Sequence, residues 1–532
     1  MNTIVIEKKY LIVPVGTHAT SKKLCFYEST GDEKTLVMDY DCNLDLLNPT
    51  YTAYVDVSQF KGKVLEYCSI PQMEFTLEQC DEKTVEGVYR EEMRPFVHYT
   101  PQIGWINDPN GLIRYGDTYH MFYQHNPLGP VWGNMHWGHA TSRDLIHWEE
   151  QEIALYPDHM GTMYSGSAIE DVHNVTGLKC NENNPLLLFY TAAGDKSLLS
   201  KGRPRTQCLA YSTDRGRTFQ KYSSNPVVEW IESYNRDPKV VWVEEISRYV
   251  MVLYIVGERY RILTSENMLE WTPLQEIILE NESECPDIMS FTVNRKKYWV
   301  ISGASDKYVV GAFEKGAFVQ KSMTKQLSYS PSRSSYAAQS FSGIDDGRTI
   351  RIKWDQIHMP SDRVPNQMSI PTEMNLVCVD KECMLTSMPI KEIEMLYEDT
   401  YSTKNLSLTS PLQIPLERSA YDICLEADFE SDIEIEIFGQ TIKVNVRENC
   451  IEVKKVKVPL SLELDAVKLR MIVDRCSIEI FADDGKFCAT FPVVCDYNLP
   501  YLKVNASNDT VIRQLDCSRL KSIHAVNDKG VC

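Results

Sequence analysis

The sequence predicts an all-β protein, a five-bladed β-propeller with a β-sandwich-like domain before it and a second β-sandwich after it. Three observations lead there. Both ends of the chain are short, β-rich or strictly alternating runs. All nine tryptophans fall between Trp105 and Trp354, which sets off a central module. Within that module a turn motif recurs: TSRDLIHW, STDRGRTF and TSENMLEW place Ser142, Thr213 and Ser265 six residues before Trp148, Phe219 and Trp271, at intervals of 71 and 52 residues. A four-stranded blade takes roughly 40–50 residues, more with loop insertions, so the central span has room for about five.

Residues 1–92 carry KKYLIVPV, KLCFYES, KTLVMDY, TYTAYVDVSQ and KVLEYCS, separated by polar or glycine-containing stretches. Residues 96–385 form the propeller. Residues 386–398 are expected to be a linker helix, because Ile390, Ile393 and Leu396 recur at i, i+3 and i+6. In residues 399–532, Ile433, Ile435 and Ile437 alternate with polar neighbours, as do Ile442, Val444 and Val446. Asp484-Gly485 marks a hairpin turn there.

Charge and composition narrow the function. Lys and Arg number 55 against 74 Asp and Glu, a net −19 over 532 residues. Such a chain repels nucleic-acid phosphates and anionic lipid. No window approaches the ~18 apolar residues of a membrane-spanning helix. The start MNTIVIEKKYLIVPVG lacks the pattern of a signal peptide, and the 16 cysteines form no CxxC pair. Reduced thiols and a cytoplasmic location are therefore expected.

The stretch from His98 to Trp148 combines tryptophan with Asn107, Asp108, Asn110, Gln124, Asn126 and Asn134. Aromatic faces stack on sugar rings, and amides and carboxylates bond vicinal hydroxyls, so this composition points to a polyol site. Three carboxylates stand at separate proline-containing turns: Asp108 in WINDPNG, Asp237 in NRDPKV and Glu284 in ECPD. Each alone reads as an ordinary turn residue. Together they occupy entries to predicted blades, positions that converge on a propeller axis. Converging carboxylates suit cleavage of a glycosidic bond, where one attacks the anomeric carbon, a protonated one feeds the leaving oxygen, and a third stabilises the cationic transition state. Seven of the 11 histidines lie between His120 and His173, but their spacing fits no zinc motif. No metal and no cofactor are expected.

At these residues the sequence resembles glycoside hydrolase family 32, the β-fructosidases (invertases, inulinases, levanases and sucrose-6-phosphate hydrolases). WINDPNG, FYQHNP, WGNMHWGHATSRDLIHW, YSGSA, CLAYSTD, NRDPKV, ECPD, SYAAQSF, QMSIPTEMNL and VDRCSIEIFADDG follow in the family's order. The resemblance implies that Asp108 is the nucleophile, Glu284 the acid/base and Asp237 the transition-state stabiliser of a retaining, exo-acting hydrolase. It further implies that Trp105, Asn107, Gln124, Trp132, Ser165 and Arg236 shape the fructose subsite. The partners implied are a small or oligosaccharide substrate and, through the sandwich domains, a further copy of the chain.

Departures are mild: Tyr164 stands where Phe is common, and LSYSPSRSSYAAQ lacks the family's acidic stretch. The N-terminal module is only distantly similar to that of some levanases and inulinases. Alternatives of the same fold are a fructosyltransferase and a non-catalytic fructan-binding homologue. A phosphorylated sucrose would need a cationic pocket drawn from Lys201, Arg203, Arg205 and Lys239, for which a solvated loop is the plainer reading.

Overall fold

The structure is a computed structural model that describes residues 1–31, 33–361, 363–380, 382–428, 431–460, 466–506 and 510–524. The last residues of the C-terminal module, with Cys532, lie outside the described residues.

Between Trp105 and Pro389 the chain lays down five antiparallel sheets in succession, each built on a path of four strands. Their first strands are Trp105–Tyr115, Thr162–Glu170, Arg236–Val243, Asp287–Val293 and Ser335–Ser340. Each first strand touches the next, and Ser335–Ser340 returns to Trp105–Tyr115, so the five close into a ring. This is the propeller, and the ring surrounds its axis. Packing between sheets is apolar: fully buried Trp137 and Tyr190 pack with Phe122 and Leu188. Each such side chain contributes about 1.5–3 kcal/mol by leaving water.

The recurring turn joins the third and fourth strands of the first three sheets. The Ser142 hydroxyl accepts the Leu145 N–H at 2.9 Å, and Ser265 accepts that of Met268 at 2.8 Å. In the second copy the residue in this role is Ser212, not Thr213: its hydroxyl accepts the Gly216 N–H at 2.8 Å. That turn is one residue longer, so aligning on the aromatic shifts the register. In all three a residue with positive φ (Leu145, Arg215, Met268) closes the turn.

The first module holds a four-stranded and a three-stranded sheet around one core that also takes in Ile103 and Leu128 of the propeller. The C-terminal sandwich packs a seven-stranded on a six-stranded sheet. Ile433, Ile435, Ile437, Ile442 and Val444 are buried in it, whereas Val446 lies past the strand end and is half-buried. The seven-stranded sheet also recruits Ser328–Tyr329, which pairs in parallel with Phe487–Pro492.

Two further expectations are overturned. The linker helix is a single 3-10 segment, Lys391–Leu396, between the strands Glu382–Pro389 and Tyr397–Leu408. The reason lies in the spacing itself: i, i+3, i+6 is the period of three residues per turn, which buries Ile390, Ile393 and Leu396 in a line. The cysteines are not all thiols either. Cys378 and Cys383 face each other across a hairpin and form a disulfide, a pairing a CxxC search misses because the partners are five residues apart.

The propeller and sandwich meet at a polar seam. His98, fully buried, bonds Asp474 through Nδ1 and Glu479 through Nε2, each at 2.8 Å. Burial works against the imidazolium, but these two carboxylates outweigh it and push His98 up to about 10.

Candidate active site

The inner strands are irregular where they enter the ring. Register shifts fall at Ile106/Pro109, Tyr164/Gly166, Arg236/Lys239 and Tyr336/Gln339. A bulge re-aims the side chains around it, and these bulges hold Asp108, Ser165 and Asp237. Gly166 is required beside Ser165, because a Cβ there would meet the Phe189 carbonyl oxygen at 1.9 Å. Asp237 (φ 63°), Glu284 (φ 59°) and Cys285 (φ 36°) all hold left-handed backbone. Such strain costs of order 1–3 kcal/mol per residue and persists where the surroundings over-determine it.

The three carboxylates meet. Cys285 Sγ lies 3.5 Å from Asp108 Oδ2 and 3.6 Å from Asp237 Oδ2, and the Cys285 N–H donates to Asp237 Oδ2 at 3.1 Å. Arg236 stands between the other pair, with Nη2 2.5 Å from Glu284 Oε1 and Nε 3.5 Å from Asp237 Oδ2. The Tyr336 hydroxyl donates to Glu284 Oε2 at 2.9 Å. Asp108 accepts from Ser165 Oγ at 2.6 Å and from Asn107 Nδ2 at 3.1 Å.

Electrostatics follow from this crowding. Burial raises Asp108, and the Ser165 and Asn107 hydrogen bonds restrain the rise. Burial pushes Asp237 up to about 7; Arg236 opposes this, while the charges of Asp108 and Glu284 add to it. Burial and all three carboxylates push the Cys285 thiol up, so it stays a neutral donor between two acids.

The remaining predicted residues fall in layers. Trp105 donates its indole N–H to Asn107 Oδ1 at 2.7 Å and packs edge-on against Trp354. Trp132, half-exposed, stands edge-on to Tyr164. Gln124 is buried and donates to the Met163 carbonyl at 2.8 Å, bracing the strand that carries Ser165. The proposed cationic pocket does not assemble: Lys239 is buried, 3.0 Å from Asp287 Oδ1, and Lys201 and Arg203 are exposed. Only Arg205 comes near the carboxylates, stacked on Tyr164 and Tyr234. Among the clustered histidines, His120 bonds His139 inside an aromatic core and burial lowers both.

Sequence reasoning assigned no role to Cys285, Tyr336 or Trp354. Cys285 lies within ECPD and Tyr336 is the second residue of SYAAQSF, so both are inside visible motifs. Trp354 carried no signal beyond being a tryptophan.

Paired carboxylates on the axis of a propeller backed by a β-sandwich define a glycoside hydrolase. Residues 98–389 match the Glycosyl hydrolases family 32 N-terminal domain, and residues 439–493 match the Glycosyl hydrolases family 32 C terminal. A levanase of Bacillus subtilis is 32% identical over 494 residues, covering 82% of this chain and 71% of that one. An extracellular exo-inulinase of Aspergillus niger is 32% identical over 372 residues, covering 59% of this chain and 69% of its own. Among solved structures, a fructofuranosidase from Schwanniomyces occidentalis complexed with fructose superposes with a TM-score of 0.70 at 25% identity, covering 81% of this chain and 98% of that one. The chain belongs to glycosyl hydrolase family 32 and is a β-fructosidase.

Proposed function

We propose that the protein is a retaining exo-β-fructosidase that releases terminal, non-reducing β-D-fructofuranosyl residues from sucrose, fructo-oligosaccharides or fructans. The observation that carries this is the linkage of Asp108, Asp237 and Glu284 through Cys285 and Arg236. In this reading an Asp108 oxygen attacks the anomeric carbon while the Glu284 carboxylic acid protonates the departing glycosidic oxygen. The fructosyl–Asp108 ester then hydrolyses, with Glu284 taking a proton from the incoming water. Asp237 holds ring hydroxyls, and Arg236 keeps the two acids it touches in fixed positions. Trp105, Asn107, Ser165 and Trp132 shape the subsite for the fructosyl ring, with Gln124 behind them. The exo-inulinase among its relatives supports exo action, and the levanase supports a fructan as substrate.

The deciding experiment is a product analysis with sucrose, sucrose-6-phosphate, kestose, inulin and levan. Fructose as the sole early product supports the proposal. Early oligosaccharides would overturn exo action, and fructosyl transfer to sugar in place of water would favour the transferase reading.

A further inference from the structure

A cleft of about 640 Å³ separates the N-terminal module from the propeller. Its volume lies within the range of built small-molecule sites. One wall carries Tyr40, Asp56 and Gln59, and the other carries Tyr156, His159 and Phe219. The Asp56 carboxylate accepts one bond, from the Ser58 N–H at 2.8 Å, and forms no ion pair among the described residues. The Tyr40 and Tyr156 hydroxyls, the Gln59 amide and the His159 ring likewise make no hydrogen bond among the described residues. Burial, reinforced by the Asp56 charge, raises the Tyr156 phenol, so it remains a neutral donor.

These groups specify the ligand. Hydroxyl and amide donors beside a carboxylate acceptor match vicinal diols, and aromatic faces match the C–H surface of a sugar ring. Lys221, the one cation lining the cleft among the described residues, is already held by Asp158 at 2.6 Å, so the charge of Asp56 disfavours anions.

The cleft also connects to the catalytic mouth. Tyr156 and His159 lie just before Thr162–Glu170, the strand bearing Ser165. Leu199 lines the cleft and belongs to the loop that ends at Arg205. The N-terminal module grips that loop: Asp39 accepts the Leu198 and Leu199 N–H groups, each at 2.9 Å. It also grips the loop of Trp132, where the Asp41 N–H donates to Asn134 Oδ1 at 2.8 Å.

We propose that this cleft is a second, non-catalytic site for a neutral carbohydrate chain, and that it binds fructan whose end is processed on the axis. The class of sugar rests on the fructosidase reading above. The site raises the affinity for polymer and leaves the hydrolysis of sucrose untouched.

The test is the double variant Asp56→Asn/Tyr156→Phe. Its KM for levan or inulin rises about fivefold or more while kcat/KM for sucrose stays within about twofold of the parent, as expected for the loss of two polar contacts. In native gels containing levan, the inactive Asp108→Asn protein is retarded, and adding the double change reduces the retardation. Unchanged polymer KM and unchanged retardation would overturn the proposal, as would an equal loss on sucrose with the melting temperature intact. Gln59→Ala and His159→Ala, both at exposed residues, carry the same test if the double variant is unstable. Failure of the fructosidase reading shows separately, as absence of fructose from sucrose.

Discussion

Ser165 Oγ donates a 2.6 Å hydrogen bond to Oδ2 of Asp108, against the burial that raises this carboxyl. A hydrogen bond to the charged form favours ionisation. In Ser165→Ala that support is gone, the Asp108 pKa rises further, and the acid limb of the kcat/KM profile moves to higher pH. A charge-assisted bond of this kind is worth about 1.5–3 kcal/mol. A pH–rate profile of the variant checks this; a uniform loss at every pH, with no displacement of the limb, would show that Ser165 does not act through Asp108.

Asp108→Asn and Glu284→Gln each keep the shape of the side chain and remove its charge or its transferable proton. Both are expected to lower fructose release by about 10³-fold or more with melting temperatures near that of the parent. Single-turnover assays separate the two: Glu284→Gln should retain more activity on an activated fructoside whose leaving group needs no proton, and Asp108→Asn should not. Near-parental rates in either would remove that residue from the chemistry.

Asp237 couples activity to stability. Its folded pKa, about 7, stands above the ordinary carboxylate value of 3.8. The folded protein therefore holds this proton more tightly than the unfolded chain. The resulting stability is fully present below about pH 4 and is lost as pH rises through 7. Asp237→Asn cannot ionise, so it escapes that loss. The variant should be more stable than the parent at pH 8, by about 4 kcal/mol at most, with the gap closing toward pH 4. Its fructose release should fall by about 10²-fold or more. Denaturant melts at the two pH values decide the matter; a stability difference that does not vary with pH would sink the argument.

How much was legible depended on scale. NDPNG, NRDP and ECPD mark their acids by composition, but the expected turns are not what holds the two aspartates. Asp108 and Asp237 sit in bulges inside the strands Trp105–Tyr115 and Arg236–Val243, and Glu284 just before Asp287–Val293. The alternation of Ile433, Ile435 and Ile437 declares one buried face because side chains in a strand point to opposite sides. Contacts made through the third dimension were not legible. Nothing local tells that Cys285 touches Asp108 and Asp237, or that Tyr336 reaches Glu284 from another sheet. Nor does the sequence show that Lys239 is spent on Asp287. The helix at 386–398 was misjudged for a different reason: a three-residue period was read as a sparse version of the α-helical one.

The seam between propeller and sandwich carries the last prediction. His98 is held by Asp474 and Glu479, from a loop and a strand of the sandwich, and both oxygens of nearby buried Asp355 lack hydrogen-bond partners among the described residues. The folded pKa of His98, about 10, exceeds the ordinary 6.5. Its contribution is therefore fully present below pH 6.5 and is lost as pH rises through 10. Replacing it by Gln removes the cation and leaves Asp474 and Glu479 facing each other's charge with Asp355 close by. Breaking a buried pair from one side costs about 3–5 kcal/mol. His98→Gln should melt well below the parent at pH 6, and the difference should shrink between pH 7 and 10 because only the parent has a proton to lose. Chemical denaturation across that window reads the difference directly. A deficit that is constant with pH would mean that His98 sits neutral and that packing alone, not its charge, joins the two domains.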